Sequence, residues 1–203
     1  ALLSAVFVLS LILLNRSTGI AKQRSKFTEL FSKSAAINRL SAARFFLFGS
    51  RDIWFVVALP VFLQSELSWS YTQVGSLLAV WIIGYGAMQA LAPKVTEASG
   101  KTAFEWVAAI CLLPALIAIG LYLEWNTELL IIAGLLIFGA LFAINSSVHS
   151  YLIVSYARED GASLDVGFYY MANAAGRLVS TLLSGLIYQY YGLAACLIGS
   201  SIM

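Results

Sequence analysis

The chain has 203 residues, of which 61% are hydrophobic and 11% are charged. The charged share is less than half the roughly 25% of an average soluble domain, and no single water-facing core of this size buries so much apolar surface, so the composition excludes an ordinary soluble globular protein. The formal charge of +2 excludes little by itself, because the charges are clustered.

The opening apolar run, residues 1–14, reads as the end of a truncated transmembrane helix. The chain begins at Ala1, without Met, inside that run and stops at Met203 inside another, so it reads as a fragment that lacks an N-terminal half of the same chain. The run is not a secretory signal, because the basic cluster follows it and does not precede it. Residues 15–44 carry seven Lys or Arg and one acid, Glu29. This segment reads as a basic cytoplasmic linker between two helical bundles, and equally as a topogenic loop that meets anionic lipid. Within it, Phe27 to Phe31 has the pattern of a short amphipathic helix lying on the membrane surface.

Residues 45–203 read as an all-α transmembrane helix bundle, with five complete spans and one truncated. The spans run from about Phe45 to Gln64, Gln73 to Ala92, Ala103 to Leu123, Leu129 to Val154 and Val166 to Tyr188. Each is close to the ~20 residues that cross a bilayer as a helix. Gly192 opens the final, truncated run. Basic residues mark the cytoplasmic side. If residues 15–44 are inside, the alternate loops that carry Lys94, Lys101 and Arg158 are inside too, and the opposite loops hold Glu66, Glu124 and Glu128 without a Lys or Arg. The sequence thus predicts a multi-pass protein of the cell (inner) membrane. Trp69, Trp106 and Trp125 fall at interfaces, as an aromatic belt requires.

Polar groups within the spans carry the functional information, because a charge near the bilayer centre costs roughly 2.5–3.5 kcal/mol on insertion scales. Arg177 lies about ten residues into the fifth span, near mid-membrane. Tyr170, Asn173, Ser180, Thr181 and Ser184 recur at helical spacing around it and form a polar stripe. The stripe is a candidate anion-binding surface, with the guanidinium making bidentate hydrogen bonds; the alternative is a structural arginine paired with a carboxylate elsewhere in the bundle. Arg51 and Asp52 lie a third of the way along the first span. Adjacent helix positions point about 100° apart, so the two are not expected to be each other's partner. Arg51 is a candidate second anion clamp, and Asp52 a packing or proton-linked carboxylate. Gly49 and Pro60 are candidates for bending this helix. Asn145 and His149 stand four apart; a histidine here is a candidate proton relay, or else an interhelical hydrogen-bonding group. Trp81, Tyr85 and Gln89 share one face of the second span, as packing or as cavity lining.

Catalytic and cofactor signatures are missing from the sequence. There is no GxxxxGK[ST] phosphate loop, no HExxH, GxSxG or CxxC, and a lone histidine does not make a typical zinc site. No basic patch is interleaved with aromatics as nucleic-acid binding requires. No enzyme activity, cofactor, metal or nucleic-acid partner is expected.

A long basic loop followed by tightly connected spans resembles the second half of a major facilitator permease, in which two six-helix halves alternate access about a central site. The superfamily's Gly-rich loop with an Asp-Arg pair is not clear; APKVTEASGKT is a weak echo. The segments AARFFLFGSRDIWFVVALPVFLQ, WIIGYGAMQALAPK, NSSVHSYLIVSY and DVGFYYMANAAGRLVSTLLSGLIYQ resemble the ArsJ-type organoarsenical efflux permeases. That resemblance implies secondary export of 1-arseno-3-phosphoglycerate, which glyceraldehyde-3-phosphate dehydrogenase forms when arsenate replaces phosphate, and hence arsenate resistance and a functional link to that dehydrogenase. Such a small anionic substrate suits Arg177, Arg51, Asn173, Tyr170, Ser180 and Thr181, with Asp52, His149 and Asn145 in coupling or structural roles. The competing expectations are a permease for another organic anion or a drug, and a non-transporting membrane scaffold.

Overall fold

The computed structural model describes residues 9, 13, 32, 34–158 and 161–203. The chain divides into two compact units, Ala1–Leu30 and Phe31–Met203. In the first, Leu9 and Leu13 are helical; the rest of the opening run and the amphipathic stretch from Phe27 to Phe31 lie outside the described residues.

The second unit is built of helices joined by short loops, with no strand among the described residues. Its elements are α1 (Ala35–Phe55), α2 (Ala58–Ser65), α3 (Tyr71–Val95), α4 (Gly100–Tyr122), α5 (Thr127–Tyr156) and α6 (Ala162–Ile202). Taking α1 and α2 together, five elements are long and apolar enough to cross a membrane. Capping residues fix three of the starts. Ser70 and Gln73 form a reciprocal capping box at α3, Ser99 accepts from the Thr102 N–H at α4, and Asn126 accepts from the Leu129 N–H at α5. Each satisfies a backbone donor that a helix start leaves open. The observed limits of α3, α4 and α5 fall within three residues of the expected spans.

One helix start differs from expectation, and two breaks fall where the sequence offered them, beside Pro60 and at Gly192. Helix α1 begins at Ala35, ten residues before the expected span. The stretch from Ala35 to Arg44 contains no Gly or Pro, and Ile37, Leu40, Ser41, Arg44, Leu47 and Phe48 recur at three- and four-residue steps on its buried face, so tertiary packing carries the helix into the basic segment. The first span is also broken at Val56 and Val57. Pro60 has no N–H to bond the carbonyl of Val56, and its ring crowds that carbonyl. The freed N–H of Ala58 donates instead to Ser184 Oγ at 3.1 Å.

Helix α6 is two helical arms that meet at Gly192, the residue expected to open the final run, and the chain reverses there. Gly192 has φ of 74°, a left-handed conformation open to glycine. Beyond it the chain returns along its own first arm: Ser180 Oγ reaches Met203 Sδ at 3.8 Å, whereas 23 residues of straight helix would separate them by about 35 Å.

The core lies between α1, α2, α3, α4, α5 and the returning arm of α6. Trp54, Leu59, Leu63, Ile117, Ile131, Leu135, Phe138, Phe142 and Leu197 are buried in one cluster. Trp54 meets Phe138 edge-on with ring centroids 5.3 Å apart, and Phe48 meets Phe142 likewise at 5.0 Å. Helix α1 packs chiefly along α6. Two glycines allow that approach: Gly176 rests against the backbone carbonyl of Phe45, and Gly49 against the ends of Met203 and Ser180. Small residues serve this purpose in membrane helix pairs. Many large apolar side chains, among them Ile82, Ile83, Leu112, Leu116, Leu178, Leu182 and Leu186, stay exposed on the outside of the bundle. In a hydrocarbon solvent they carry no penalty.

Candidate charge cluster inside the bundle

Helices α1 and α6 both start from the end of the bundle that holds Lys94, Lys101 and Arg158. Arg51 lies sixteen residues after Ala35 and Arg177 fifteen after Ala162, so both stand about 22–24 Å along their helices. Asp52 joins them. Its Oδ1 accepts from Arg51 Nε at 2.6 Å, and its Oδ2 accepts from Arg177 Nε at 2.8 Å. The Asp52 side chain is 1% exposed, that of Arg51 10%, and that of Arg177 51%.

The direct bond between Arg51 and Asp52 corrects the expectation that neighbouring positions would keep them apart. The offset around the helix is real, but the arginine side chain is long enough to bend back across it, and Phe48 and Phe142 guide it. The Arg51 guanidinium lies over both rings, 4.8 and 5.0 Å from their centroids. The carboxylate expected elsewhere in the bundle as a structural partner of Arg177 is therefore Asp52.

Two guanidinium groups on one carboxylate leave a formal excess of one positive charge. Arg51 is held beneath the aromatic rings, so the excess is presented by Arg177. Its described ion pair uses Nε, which leaves the terminal nitrogens of the fork for a second oxyanion. Tyr170, seven residues earlier and thus two turns away on the same face, is 50% exposed, and Thr181 is half-buried one turn further on. The other stripe residues face elsewhere. Ser180 is fully buried between Gly49 and Met203, and Ser184 caps the broken α1–α2 junction. Both belong to the α1–α6 contact, because a stripe at spacings of three, four and seven wraps onto two faces of the helix. Asn173 is half-buried, with its Oδ1 unpartnered among the described residues.

Asn145 and His149 are buried on α5, at 0% and 2% exposure, and do not join the Asp52 cluster. Of the stripe on α3, Trp81 is packing: its Nε1 donates to the Leu135 carbonyl at 2.9 Å, its ring seats on Gly139 and it stacks against Tyr85. Gln89 instead donates to Ser146 Oγ at 3.3 Å.

Arg44 escaped the sequence reading. It is 5% exposed, and its Nη1 donates to Ser146 Oγ at 3.1 Å and to the Ser146 carbonyl at 3.3 Å. It was hidden by its place in a basic segment, where a cation reads as solvated. The available signal was the apolar period of the span continued backwards through Leu40 and Ile37, which puts position 44 on the buried face.

The family model of the Major Facilitator Superfamily matches residues 40–203. No curated protein and no solved structure matches the chain.

Proposed function

The chain belongs to the Major Facilitator Superfamily, and on that premise we propose that it forms part of a secondary active permease that exports a small organic anion, 1-arseno-3-phosphoglycerate, and so confers arsenate resistance. The observation that carries the proposal is the uneven Asp52 cluster: two arginines, one carboxylate, and the surplus charge on the half-exposed Arg177. An arsenate or phosphate group offers several oxygens to a guanidinium fork. Asp52 orients the fork from behind and keeps its cost in the membrane low. The hydroxyl of Tyr170 shares the exposed face. Two of the four segments that resemble ArsJ-type permeases, those around Arg51–Asp52 and around Arg177, meet in this cluster.

In this account the exposed face of Arg177 lines a central cavity completed by an N-terminal half of the same chain, alternately open to each side of the inner membrane, with the basic end of the bundle cytoplasmic. Substrate oxygens and Asp52 compete for Arg177. Transport in this account draws on the proton gradient. The chain's own role is binding and movement, with no chemical conversion and no cofactor; glyceraldehyde-3-phosphate dehydrogenase supplies the substrate. A second reading rests on the same guanidinium, which recognises any organic phosphate or carboxylate.

Everted membrane vesicles that hold the intact permease test both. With arsenate, glyceraldehyde 3-phosphate, NAD and the dehydrogenase outside, arsenic accumulates in the vesicles, and omission of the dehydrogenase abolishes it. Arsenic at control level in the complete mixture, with 3-phosphoglycerate taken up instead, replaces the arsenical by another organic anion. Uptake of neither removes the permease reading in favour of a non-transporting scaffold.

A further inference from the structure

Nine buried side-chain polar atoms lack a hydrogen-bond partner among the described residues, and seven of them belong to Ser41, Arg44, Asn145, His149, Tyr169 and Asn173. These six residues come from three helices at one level. Ser41 and Arg44 are six and nine residues from the start of α1, Asn145 and His149 eleven and seven from the end of α5, and Tyr169 and Asn173 seven and eleven from the start of α6. All lie about 9–17 Å in from the basic end, nearer to that end than the Asp52 cluster.

Arg44 is the centre of the group. Its guanidinium lies 5.0 Å from the Tyr169 ring centroid and 4.0 Å from that of Phe48, and Nη1 is anchored on Ser146, next in sequence to Asn145. No described carboxylate pairs with Arg44, and its Nε is unpartnered. The guanidinium groups of Arg44 and Arg51 both lie over the Phe48 ring, but the described bonds to Asp52 come from Arg51 and Arg177 and not from Arg44. A buried cation without a counter-ion among the described residues, at the same depth as hydroxyl, amide and imidazole groups on α1, α5 and α6, has the donor set of an anion site.

We propose that Arg44 centres a second site, which takes one oxyanion group such as phosphate or arsenate between α1, α5 and α6. The Arg44 Nε and the hydroxyls of Ser41 and Tyr169 donate to it, while Asn145, Asn173 and His149 close its rim. The site does not depend on which solute the permease carries. Its occupant is either a resident inorganic oxyanion or the anionic end of a solute on its way to Arg177.

The test uses the intact permease in lipid nanodiscs and follows its thermal unfolding midpoint as inorganic phosphate or 3-phosphoglycerate is added at constant ionic strength. A ligand that binds only the folded state raises the midpoint with a saturable dependence on concentration. The wild type shows that rise. Tyr169→Phe, which removes the hydroxyl and keeps the ring beside Arg44, weakens the apparent affinity at least about tenfold, Arg44→Gln abolishes the response, and Arg177→Gln leaves it intact. A response to inorganic phosphate alone marks a resident ion; a response to both anions, with transport slowed in Tyr169→Phe, marks a station on the solute path. If Tyr169→Phe raises stability and leaves the phosphate response unchanged, the hydroxyl faces water only and the site does not exist. Loss of the response in Arg177→Gln overturns the proposal equally, by placing the anion at Asp52.

Discussion

Arg177 Nε lies 2.8 Å from Asp52 Oδ2 and so joins α6 to α1 across 125 residues of sequence. The bond is asymmetric in its surroundings, since the Asp52 side chain is 1% exposed and the Arg177 side chain 51%. The carboxylate is structural in the sense that it has nowhere else to go, whereas the guanidinium faces outward from a fixed anchor.

That asymmetry separates stability from transport. Asp52→Ala strands Arg51 beneath Phe48 and Phe142, and the loss of one member of a buried pair costs roughly 3 kcal/mol, the lower end of the usual range because Arg177 can rehydrate. Arg177→Ala leaves Asp52 its bond to Arg51 and costs at most about 1 kcal/mol, yet it removes the exposed cation. Thermal unfolding of the purified variants checks the order; equal destabilisation by the two substitutions would contradict it.

The approach of α6 to α1 depends on Gly176. A Cβ there meets the Phe45 carbonyl oxygen, which is backbone and cannot swing aside. Gly176→Ala therefore destabilises by about 1–3 kcal/mol and lowers transport with it, by moving Arg177 away from Asp52. Gly185→Ala on the same helix meets only Val57 Cγ1 at 3.9 Å, and leaves both unfolding and transport near wild type.

The legible part of the fold was the part governed by hydropathy. Four loops and the helices between them followed from apolar runs broken by short polar segments, because a bilayer leaves few other structures open to such runs. The start of α1 was not legible, since packing overrode a basic composition, and the same override concealed Arg44. At the site, depth in the membrane drew attention to Arg51, Asp52 and Arg177, which the structure brings together, but their partners depend on side-chain reach. The 100° rule describes where Cβ atoms point and says little about a guanidinium four bonds further out. The division of the α6 stripe, with Ser180 and Ser184 inward and Tyr170 and Arg177 outward, required knowing that α1 and the chain's returning arm occupy one side of the helix.

The break between α1 and α2 gives a third prediction. Ser184→Ala removes the acceptor for the Ala58 N–H and leaves a buried donor unpaired, at a cost of about 1–3 kcal/mol. Ser184→Thr retains the hydroxyl and recovers part of the loss. Denaturation midpoints in detergent measure both, and equal stability of Ser184→Ala and wild type would mean that the junction does not use this bond.

Trp81 distinguishes packing from cavity lining on α3. Trp81→Phe loses the bond to the Leu135 carbonyl and lowers stability by about 1 kcal/mol, with the transport rate per folded molecule unchanged. A variant with wild-type stability and altered solute preference would return Trp81 to the cavity.

The most direct test of the central claim is arsenic retention in arsenate-sensitive cells that express glyceraldehyde-3-phosphate dehydrogenase together with the intact permease or its Arg177→Ala variant at matched membrane levels. The account predicts that the wild type lowers retained arsenic after arsenate loading only when the dehydrogenase is present, and that Arg177→Ala retains as much as cells without the permease. Wild-type clearance by Arg177→Ala would contradict it, because the surplus cation of the Asp52 cluster would then have no part in binding the exported anion.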